Sequence, residues 1–470
     1  MGSAQQGALS VGWYRWVVCG LLFVATTVNY LDRQVISVLK PVLEKEMGWN
    51  QIDYSNIVVC FQLAYAIGLV MMGRFVDRIG VKIGFALAVF FWSIAAIAHG
   101  FVAYIPHDWV LTLKKDSVGQ SILIFLLYGT GAVTTYVLPM TVVAFAAARF
   151  ALGVSEAGNF PACIKAVSEW FPKKERALAT GIFNSGTNIG AMLTPVVVPW
   201  IAVNWGWSWA FYITGAIGFL WLVAWLWEFD DDVAGHPKVS KQELDYIRSD
   251  PQEPSPGKIP WINLLGHRQT WAFAIGKFMT DPFWWLYLFW VPDFLNKQHG
   301  LDIKNFGPPL VVIYTMTCFG SVGGGWLSSK LIRSGWTVNA SRKTAMLVCA
   351  LCVVPILAAT QVSSLWLAVF LIGLAASAHA GWSANIFTLV SDTVPKAAIS
   401  SVTGFGGMAG AVGGMLIAKI VGYVLERTNN NYFIPFAMAA VAYLLALVII
   451  HLFLPRLEQM KLDVKKVGQS

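Results

Sequence analysis

The sequence predicts an all-α polytopic membrane protein with twelve transmembrane helices in two pseudo-symmetric six-helix bundles. Its 470 residues are 57% hydrophobic and only 12% charged, so a soluble protein of this size would lack the charged residues that its surface requires. Uncharged stretches of membrane length recur from end to end of the chain. Landmark residues of the first half also recur in the second half, which indicates an internal repeat.

The individual spans follow from the uncharged stretches, because a helix needs about 20 mostly apolar residues to cross the hydrocarbon layer. In the first half we place them at residues 14–39, 52–76, 83–104, 142–170, 177–201 and 208–228. In the second half we place them at residues 269–296, 306–331, 344–360, 364–393, 399–425 and 432–454. We expect the first span to stay in the mature protein, because no basic segment or small-residue cleavage site marks a signal peptide.

The net charge of +8 reports the topology of the chain rather than affinity for nucleic acid. If the N-terminus is cytoplasmic, most of the 33 lysine and arginine residues fall in cytoplasmic segments, as the positive-inside rule requires. We therefore expect both termini in the cytoplasm. All six cysteines fall in predicted spans. Cys349 and Cys352 have the spacing of a metal or redox pair, but no second pair accompanies them, so small core residues are the better interpretation.

Two sequence offsets describe the repeat. An offset of 223 residues carries Ala157–Gly158 onto Ala380–Gly381, and an offset of 255 carries Arg78 onto Arg333. The difference places extra sequence at residues 105–141. Residues 119–140 of this insert are uncharged, but another span there would put most later basic residues outside the cytoplasm. We therefore expect an extracytoplasmic excursion with an interfacial helix.

These boundaries divide the chain into four segments. A first six-helix bundle covers residues 1–228, a cytoplasmic linker residues 229–268, a second bundle residues 269–455 and a cytoplasmic tail residues 456–470. In the linker, the capping-box pattern from Ser240 to Glu243 predicts a short helix.

Charged residues inside the spans are the candidates for function, because a charge at the bilayer centre costs at least about 2.5 kcal/mol and normally marks a working site. Asp32 and Arg33 lie in the first span, and Arg149 and Glu156 lie seven residues apart in the fourth. Two helical turns separate the latter pair by about 10 Å. This distance is too large for a direct pair, so each is expected to find a complementary charge on the first span.

The charges of these four residues sum to zero while both acids are ionised. Protonation of either acid would leave an arginine unpaired, and an anionic substrate would then supply the missing negative charge. The pattern therefore predicts a proton-coupled anion site. The alternative is a static network of buried ion pairs, which would stabilise the fold poorly because of its desolvation penalty.

Further polar residues of the first-half spans are candidates for substrate contacts: Asn29, Tyr30, Gln62, Tyr65, Asn184 and Asn188. Tyr30 and Asn29 each lie three residues before a member of the charged pair, which places them close to it on the helix. For Gln62, Tyr65, Asn184 and Asn188, hydrogen bonding between helices is the alternative.

The second half contributes fewer charges. Lys277 and Asp281 form an i, i+4 pair just before Pro282, where the helix is expected to break or kink. Lys277 either binds a second substrate carboxylate or only pairs with Asp281. His379 takes the repeat position of Glu156, and a hydrogen-bonding core histidine is its alternative. The other candidates near it are Trp382, Ser383 and Asn385.

The loop between the second and third spans carries Gly73, Asp77, Arg78, Gly80 and Lys82. Their order resembles the Gly-x-x-x-Asp-Arg-x-Gly-x-Lys/Arg loop of the major facilitator superfamily. The resemblance implies the fold of that family, and a loop that latches the cytoplasmic side through charge pairs.

Other motifs narrow the resemblance to the anion:cation symporter branch of that family. They are Asn29-Tyr-Leu-Asp-Arg33 and the Arg149 to Glu156 segment followed by Ala-Gly. The segments 280–290 and 381–392 are similar to bacterial hexuronate transporters in particular. The insert at residues 105–141 departs from the family pattern.

The resemblance also implies roles for the charged residues. Asp32 and Glu156 would exchange protons, Arg33 with Tyr30 and Tyr65 would bind the carboxylate, and Arg149 would couple the two. The implied function is import of a hexuronate, glucuronate or galacturonate, with protons by alternating access across the bacterial inner membrane.

Other functions stay open from the sequence. The transported ligand could be a related sugar acid such as galactonate or glucarate, or another organic anion, and a transporter-like sensor would keep the anion site without a proton step. A membrane enzyme is not expected, because no His, Asp and Glu grouping has metal-ligand spacing. We expect no cofactor, metal or nucleic acid, and a monomer whose partners are the anion, protons and lipid.

Overall fold

The computed structural model describes residues 12–114, 120, 121, 124, 135–249, 261–395 and 398–460. The first half contains α1 (Tyr14–Met47), α2 (Gln51–Ile79), α3 (Val81–Phe101), α4 (Met140–Glu156), α5 (Asn159–Trp170), α6 (Lys173–Trp205) and α7 (Trp207–Glu228). The linker contains α8 (Lys241–Ile247) and α9 (Trp261–Leu265). The second half contains α10 (Arg268–His299), α11 (Gly307–Arg333), α12 (Val338–Val353), α13 (Leu365–Thr393), α14 (Ile399–Arg427) and α15 (Phe433–Phe453).

Within the described part of the chain, eleven helical segments are long and apolar enough to cross a membrane, counting α4 and α5 as one. The predicted seventh span lies in a further helix, the 32-residue α10. Its two lysines, two aspartates, two prolines and four tryptophans leave it without a stretch as apolar as those in the other eleven segments. The structure is thus the predicted all-α membrane fold with two halves.

Three prolines lie inside the long helices α1 and α10. The sequence analysis expected the first span to end at residue 39, just before Pro41, and a break or kink at Pro282. α1 continues past residue 39 and through Pro41 to Met47, and α10 runs through Pro282 and Pro292 without interruption. The helix therefore does not break at Pro282, and the alternative of a kink there stays a prediction. A proline removes one helical hydrogen bond, and dense packing of α10 against α14 and α15 keeps the helix continuous.

The two halves repeat the same pattern of helix packing. α1 packs most extensively on α6, and its counterpart α10 packs on α14. Likewise α2 packs on α4 as α11 packs on α13, and α3 packs on α7 as α12 packs on α15. The packing therefore reproduces the internal repeat that the sequence offsets indicate.

We call the end of the molecule where α1 begins and α15 ends the proximal face, and the opposite end the distal face. At the distal face, Lys40 of α1 pairs with Asp293 of α10 at 2.7 Å, and Lys297 pairs with Glu44 at 3.0 Å. The Tyr54 hydroxyl donates to the Phe289 carbonyl at 2.9 Å. These bonds join the two halves on the distal side of the central residues.

The loop between α2 and α3 lies at the proximal face against the linker. Gly80 has a φ of +88°, and a Cβ there would lie 2.5 Å from the Asp231 carboxylate, so the turn requires glycine. Asp231 accepts the N–H groups of Val81 and Lys82 at 3.0 and 2.9 Å, which caps the start of α3. The linker thus stabilises this turn.

The charges of the same loop pair within the first half and its linker. Asp77 lies 3.3 Å from Lys165 of α5, and Lys82 lies 3.1 Å from Asp230. Arg78 is exposed and Gly73 is half-buried. In this conformation the charge pairs found for the motif therefore do not cross to the second half, and its latching role stays a prediction.

The linker helix α8 begins where the capping pattern predicts. The Ser240 hydroxyl accepts the Glu243 N–H at 3.2 Å. Glu243 does not complete the box; its carboxylate instead accepts the N–H groups of Tyr14 and Arg15 at 3.3 and 3.1 Å. The linker thereby caps the first turn of α1.

The insert contains a β-hairpin that the sequence analysis did not predict. β1 (Val110–Lys114) pairs antiparallel with β2 (Thr135–Pro139), with Thr112 opposite Val137. Residues 135–139 were expected in an interfacial helix, but the β-branched and aromatic residues of this segment favour a strand. Most of the expected helix lies outside the described residues, as do residues 250–260 of the linker and 461–470 of the tail.

Candidate functional site

The centre of the site is an ion pair between α1 and α4. The Nε and Nη2 atoms of Arg33 each lie 2.9 Å from Oε2 of Glu156. Both side chains are buried, with 1% and 0% exposure. Arg33 also donates to the Asn29 Oδ1 atom at 3.3 Å. Oε1 of Glu156 has no hydrogen-bond partner among the described residues. Only one of the two carboxylate oxygens is therefore bonded to Arg33.

Four aromatic rings surround the Arg33 guanidinium. Its carbon lies 4.7 Å from the ring centre of Tyr30 and 4.6 Å from that of Tyr65. Phe61 lies at 5.2 Å, and Trp285 of α10 at 5.4 Å. Guanidinium groups are attracted to ring faces. Because Trp285 belongs to the second half, Arg33 lies where the two halves meet.

Close helix packing positions these residues. A Cβ at Gly190 of α6 would lie 2.5 Å from the Thr27 carbonyl and 2.9 Å from Tyr30, so only glycine allows α6 to approach this part of α1. Glu156 is the last residue of α4, and the chain turns at Ala157–Gly158 before α5 begins. The predicted fourth span is therefore interrupted beside the site.

Arg149 and Asp32 do not pair as the sequence analysis expected. Nη1 of Arg149 donates to the Arg33 carbonyl at 3.1 Å, while its Nε and Nη2 have no partner among the described residues. Both oxygens of Asp32 are likewise unpartnered, and the carboxylate faces Thr214 of α7. Consecutive residues of a helix point about 100° apart, so Asp32 faces the interior of the first bundle while Arg33 faces the second half.

The second half contributes two polar pairs, Lys277 with Asp281 and His379 with Tyr443. Lys277 pairs with Asp281 at 2.7 Å, and its ammonium lies 4.6 Å from the ring centre of Phe387. Of the two interpretations of Lys277, pairing with Asp281 is the one observed in this conformation. The Nδ1 atom of His379 lies 2.8 Å from the Tyr443 hydroxyl, and its ring stacks on Trp284 at 5.5 Å.

The remaining predicted residues have no direct contact with Arg33 in the described structure. Gln62 and Trp382 are fully buried with unpartnered polar atoms. Asn385 donates to the Gly324 and Gly381 carbonyls, both at 2.9 Å, so its amide nitrogen links α13 to α11. The others are Asn184, which is exposed, and Asn188 and Ser383, which are half-buried.

The sequence analysis did not assign five residues to the places in which the structure shows them. Phe61 and Trp285 face Arg33, and Thr214 faces Asp32. Lys40 and Asp293 form the buried pair at the distal face. Both are charged residues inside the observed helices, and this could have identified them from the sequence. Their pairing could not be inferred, because it joins residues 253 positions apart in the chain.

The arrangement can bind an anion and move protons. It contains one arginine held by a carboxylate, a second arginine with free N–H groups, and a second carboxylate without partners. No group of three or more His, Cys, Asp or Glu residues that could hold a metal occurs in the described ranges.

Comparisons with known proteins agree with this fold. The family model of the Major Facilitator Superfamily matches residues 22–113 and 116–418. The chain is 29% identical over 445 residues to the hexuronate transporter of Escherichia coli K12, covering 93% of each chain. It is 27% identical to a probable galactarate/D-glucarate transporter of the same strain, covering 88% of this chain and 89% of the relative.

A solved structure is similar over almost the whole chain. The crystal structure of a D-xylose-proton symporter has a TM-score of 0.69 and covers 96% of this chain, with all of its own chain matched. Its sequence identity of 14% restricts this likeness to the fold.

Proposed function

The chain belongs to the Major Facilitator Superfamily and is a multi-pass membrane transporter, and we propose that it imports a hexuronate, such as glucuronate or galacturonate, together with protons. The observation that carries the proposal is the Arg33–Glu156 pair, which is fully buried and lies against Trp285 of the second half. The similarity to a hexuronate transporter supports the choice of substrate.

In this proposal Glu156 binds Arg33 while no substrate is present, at the position that the substrate carboxylate takes when it binds. Protonation of Glu156 removes the charge that holds Arg33, and a sugar-acid carboxylate then binds the guanidinium. Tyr30 and Tyr65 hold the guanidinium between their rings. Because Nη1 of Arg149 bonds to the Arg33 carbonyl, Arg149 couples the Glu156 side of the site to Asp32. Asp32 is the second proton-binding group.

We assign the proximal face to the cytoplasm, because the basic residues of the sequence concentrate there. The bonds at the distal face then close the site toward the outside. Alternating access requires these bonds to break, so that the two bundles separate at the distal face around the central site. We place the protein as a monomer in the bacterial inner membrane.

An aldarate, which carries a second carboxylate, is the second candidate substrate. Lys277 favours it, because this ammonium is a buried cation of the second half. Its partner Asp281 acts on Tyr30 of the Arg33 site. The similarity to a probable galactarate/D-glucarate transporter supports the same candidate substrate. Substitution of Lys277 by Gln is expected to weaken uptake of an aldarate and to leave glucuronate uptake close to wild type.

The experiment is uptake of labelled glucuronate, galacturonate and glucarate into proteoliposomes, with and without an inward proton gradient. One pH unit is expected to drive about tenfold accumulation for each coupled proton. Asp32→Asn keeps the size of the side chain and removes its charge. We expect this variant to lose accumulation while it still exchanges labelled for unlabelled substrate.

Two results would contradict the proposal. Equal uptake by the wild type with and without the gradient would exclude proton coupling. Transport of another organic anion, without transport of any of the three sugar acids, would keep the transporter and exclude the substrate.

A further inference from the structure

A set of buried polar groups lies inside the first bundle, behind the Arg33 site. Asp32 of α1, Arg149 of α4, Thr214 of α7 and His99 of α3 are all at least 98% buried. Each has at least one polar atom without a hydrogen-bond partner among the described residues. Buried polar atoms are normally paired, so four such residues on four neighbouring helices indicate a functional cluster.

The hydrogen bonds of His99 determine which ring nitrogen is free. Its Nδ1 atom lies 2.7 Å from the Ala95 carbonyl. A carbonyl can only accept, so Nδ1 carries the hydrogen and Nε2 carries the lone pair. Nε2 is the unpartnered atom. The ring is held in this orientation by stacking on Phe211 of α7, with ring centres 5.1 Å apart.

α7 connects His99 to Asp32. Phe211, on which His99 stacks, lies three residues before Thr214, so the two share one face of α7. Thr214 in turn faces Asp32. The charged group that faces both His99 and Asp32 is Arg149, and Glu156 also acts on Asp32. No other titratable group of α3, α4 or α7 is found against His99 among the described residues.

The order of these groups follows the depth of the helices. His99 lies two residues before the distal end of α3. Phe211, on which it stacks, also contacts Trp207 at the distal start of α7, with ring centres 6.1 Å apart. Asp32 lies deeper, in the middle of α1. A route along these groups therefore runs from the distal face to Asp32 and does not pass the rings around Arg33.

We propose that His99 and Thr214 form a proton relay that delivers protons from the distal side to Asp32, separately from the substrate path. This inference rests on the proposed proton coupling. A proton binds Nε2 of His99 while Nδ1–H stays on the Ala95 carbonyl. The Thr214 hydroxyl then accepts a proton from Nε2 and gives its own to an Asp32 oxygen. His99 returns to its neutral form, and Asp32 gains one proton.

Two variants test the relay in proteoliposomes. His99→Phe keeps a ring against Phe211 and removes Nε2, and Thr214→Val keeps the shape and removes the hydroxyl. We expect each to slow gradient-driven uptake about 100-fold, the lower end of what a positioned proton-transfer group contributes, and to shift its pH profile. Exchange of labelled for unlabelled substrate, which needs no net proton transfer, should stay close to wild type. His299→Phe is the matched control, because His299 also contacts a phenylalanine ring but lies on α10.

Each outcome decides one question. If the wild type shows no gradient-driven accumulation, the proposed function fails before the relay is tested. If the wild type accumulates substrate and both variants do so with an unchanged pH profile, the relay is overturned. If both variants lose exchange as well, the residues support the fold or the conformational change, and the relay is again overturned. If only His99→Phe loses exchange, the uptake rate and pH profile of Thr214→Val decide whether the relay exists.

Discussion

The Arg33–Glu156 pair and the Lys40–Asp293 pair are both buried, but they differ in how fully their atoms are bonded. Nζ of Lys40 has three acceptors: Asp293 and Glu44, each at 2.7 Å, and Gln51 at 2.9 Å. Asp293 also accepts the Tyr432 hydroxyl. Oδ1 of Asp293 lacks a well-directed hydrogen bond but lies 2.7 Å from the Lys40 ammonium. At the central site, one Glu156 oxygen and both Asp32 oxygens have neither a hydrogen bond nor an ion pair in the described chain.

We propose that this difference separates a structural bond from a working site. The Lys40 ammonium already has three acceptors. The distal pair also joins two bundles, so it holds one conformation closed. The central pair lies within one bundle and keeps free hydrogen-bonding capacity. A buried charge whose hydrogen bonds are incomplete lowers the stability of the fold through its desolvation penalty. We therefore attribute its presence to function.

The largest expected effect comes from Arg33→Lys. Lysine keeps the charge but loses the planar group that bonds Glu156 and lies among four rings. A charged hydrogen bond and the ring contacts together contribute about 2–3 kcal/mol, so we expect transport to fall by about 100-fold. Initial uptake rates measure it. Arg427→Lys is the matched control, because Arg427 also lies on a ring, that of Tyr423, at the distal end of α14. A wild-type uptake rate for Arg33→Lys would remove the distinction between the two pairs.

The next effect is expected at the distal pair. Asp293→Asn leaves Lys40 without its charge partner across the two bundles, and loss of one partner of a buried pair costs about 3–5 kcal/mol. The distal face should therefore open more often. A cysteine at Ser55, which is buried against Gly422 of α14, should then react faster with an impermeant maleimide applied from the distal side, in a background without native cysteines.

The double variant Lys40→Met with Asp293→Asn is the control for the distal pair. It removes both charges, and an uncharged replacement of a buried ion pair is often close to neutral. Slow labelling should return. If Asp293→Asn alone leaves the labelling rate unchanged, the Lys40–Asp293 pair does not hold the distal face closed.

The smallest effect is expected for the partly exposed pair of Lys82 and Asp230, which is the least buried of the three pairs compared. Burial alone would raise the pKa of Asp230, but the Asp232 N–H and the Lys82 ammonium outweigh it and lower this pKa. Asp230→Asn should lower the thermal midpoint by only about 1–2 °C, since exposed pairs contribute little.

The pH dependence of that effect has a definite sign. A lowered carboxyl pKa stabilises the folded state above the pKa of the unfolded chain, so the wild-type advantage should be constant from about pH 5 to 8. It should shrink as the pH falls below about 4. Thermal unfolding of both proteins across this range measures it, and an advantage that grows toward low pH would contradict the assignment.

Much of the site could be inferred from residue type and spacing. Charges inside apolar spans identified Asp32, Arg33, Arg149 and Glu156, and the two-turn separation in the fourth span correctly excluded a pair between Arg149 and Glu156. Which acid pairs with which arginine could not be inferred. That depends on the rotation of each helix about its axis, and neighbouring residues of one helix face different partners.

The sequence by itself determined the membrane class, the number of halves and the repeat, because these follow from hydropathy, charge and periodic landmarks along the chain. Only the tertiary structure decided that Arg33 meets Glu156, that Asp32 faces Thr214 and that Lys40 crosses to Asp293. The physical reason is that desolvated charges choose partners by distance in space. Such distances are set by helix packing between segments far apart in the sequence.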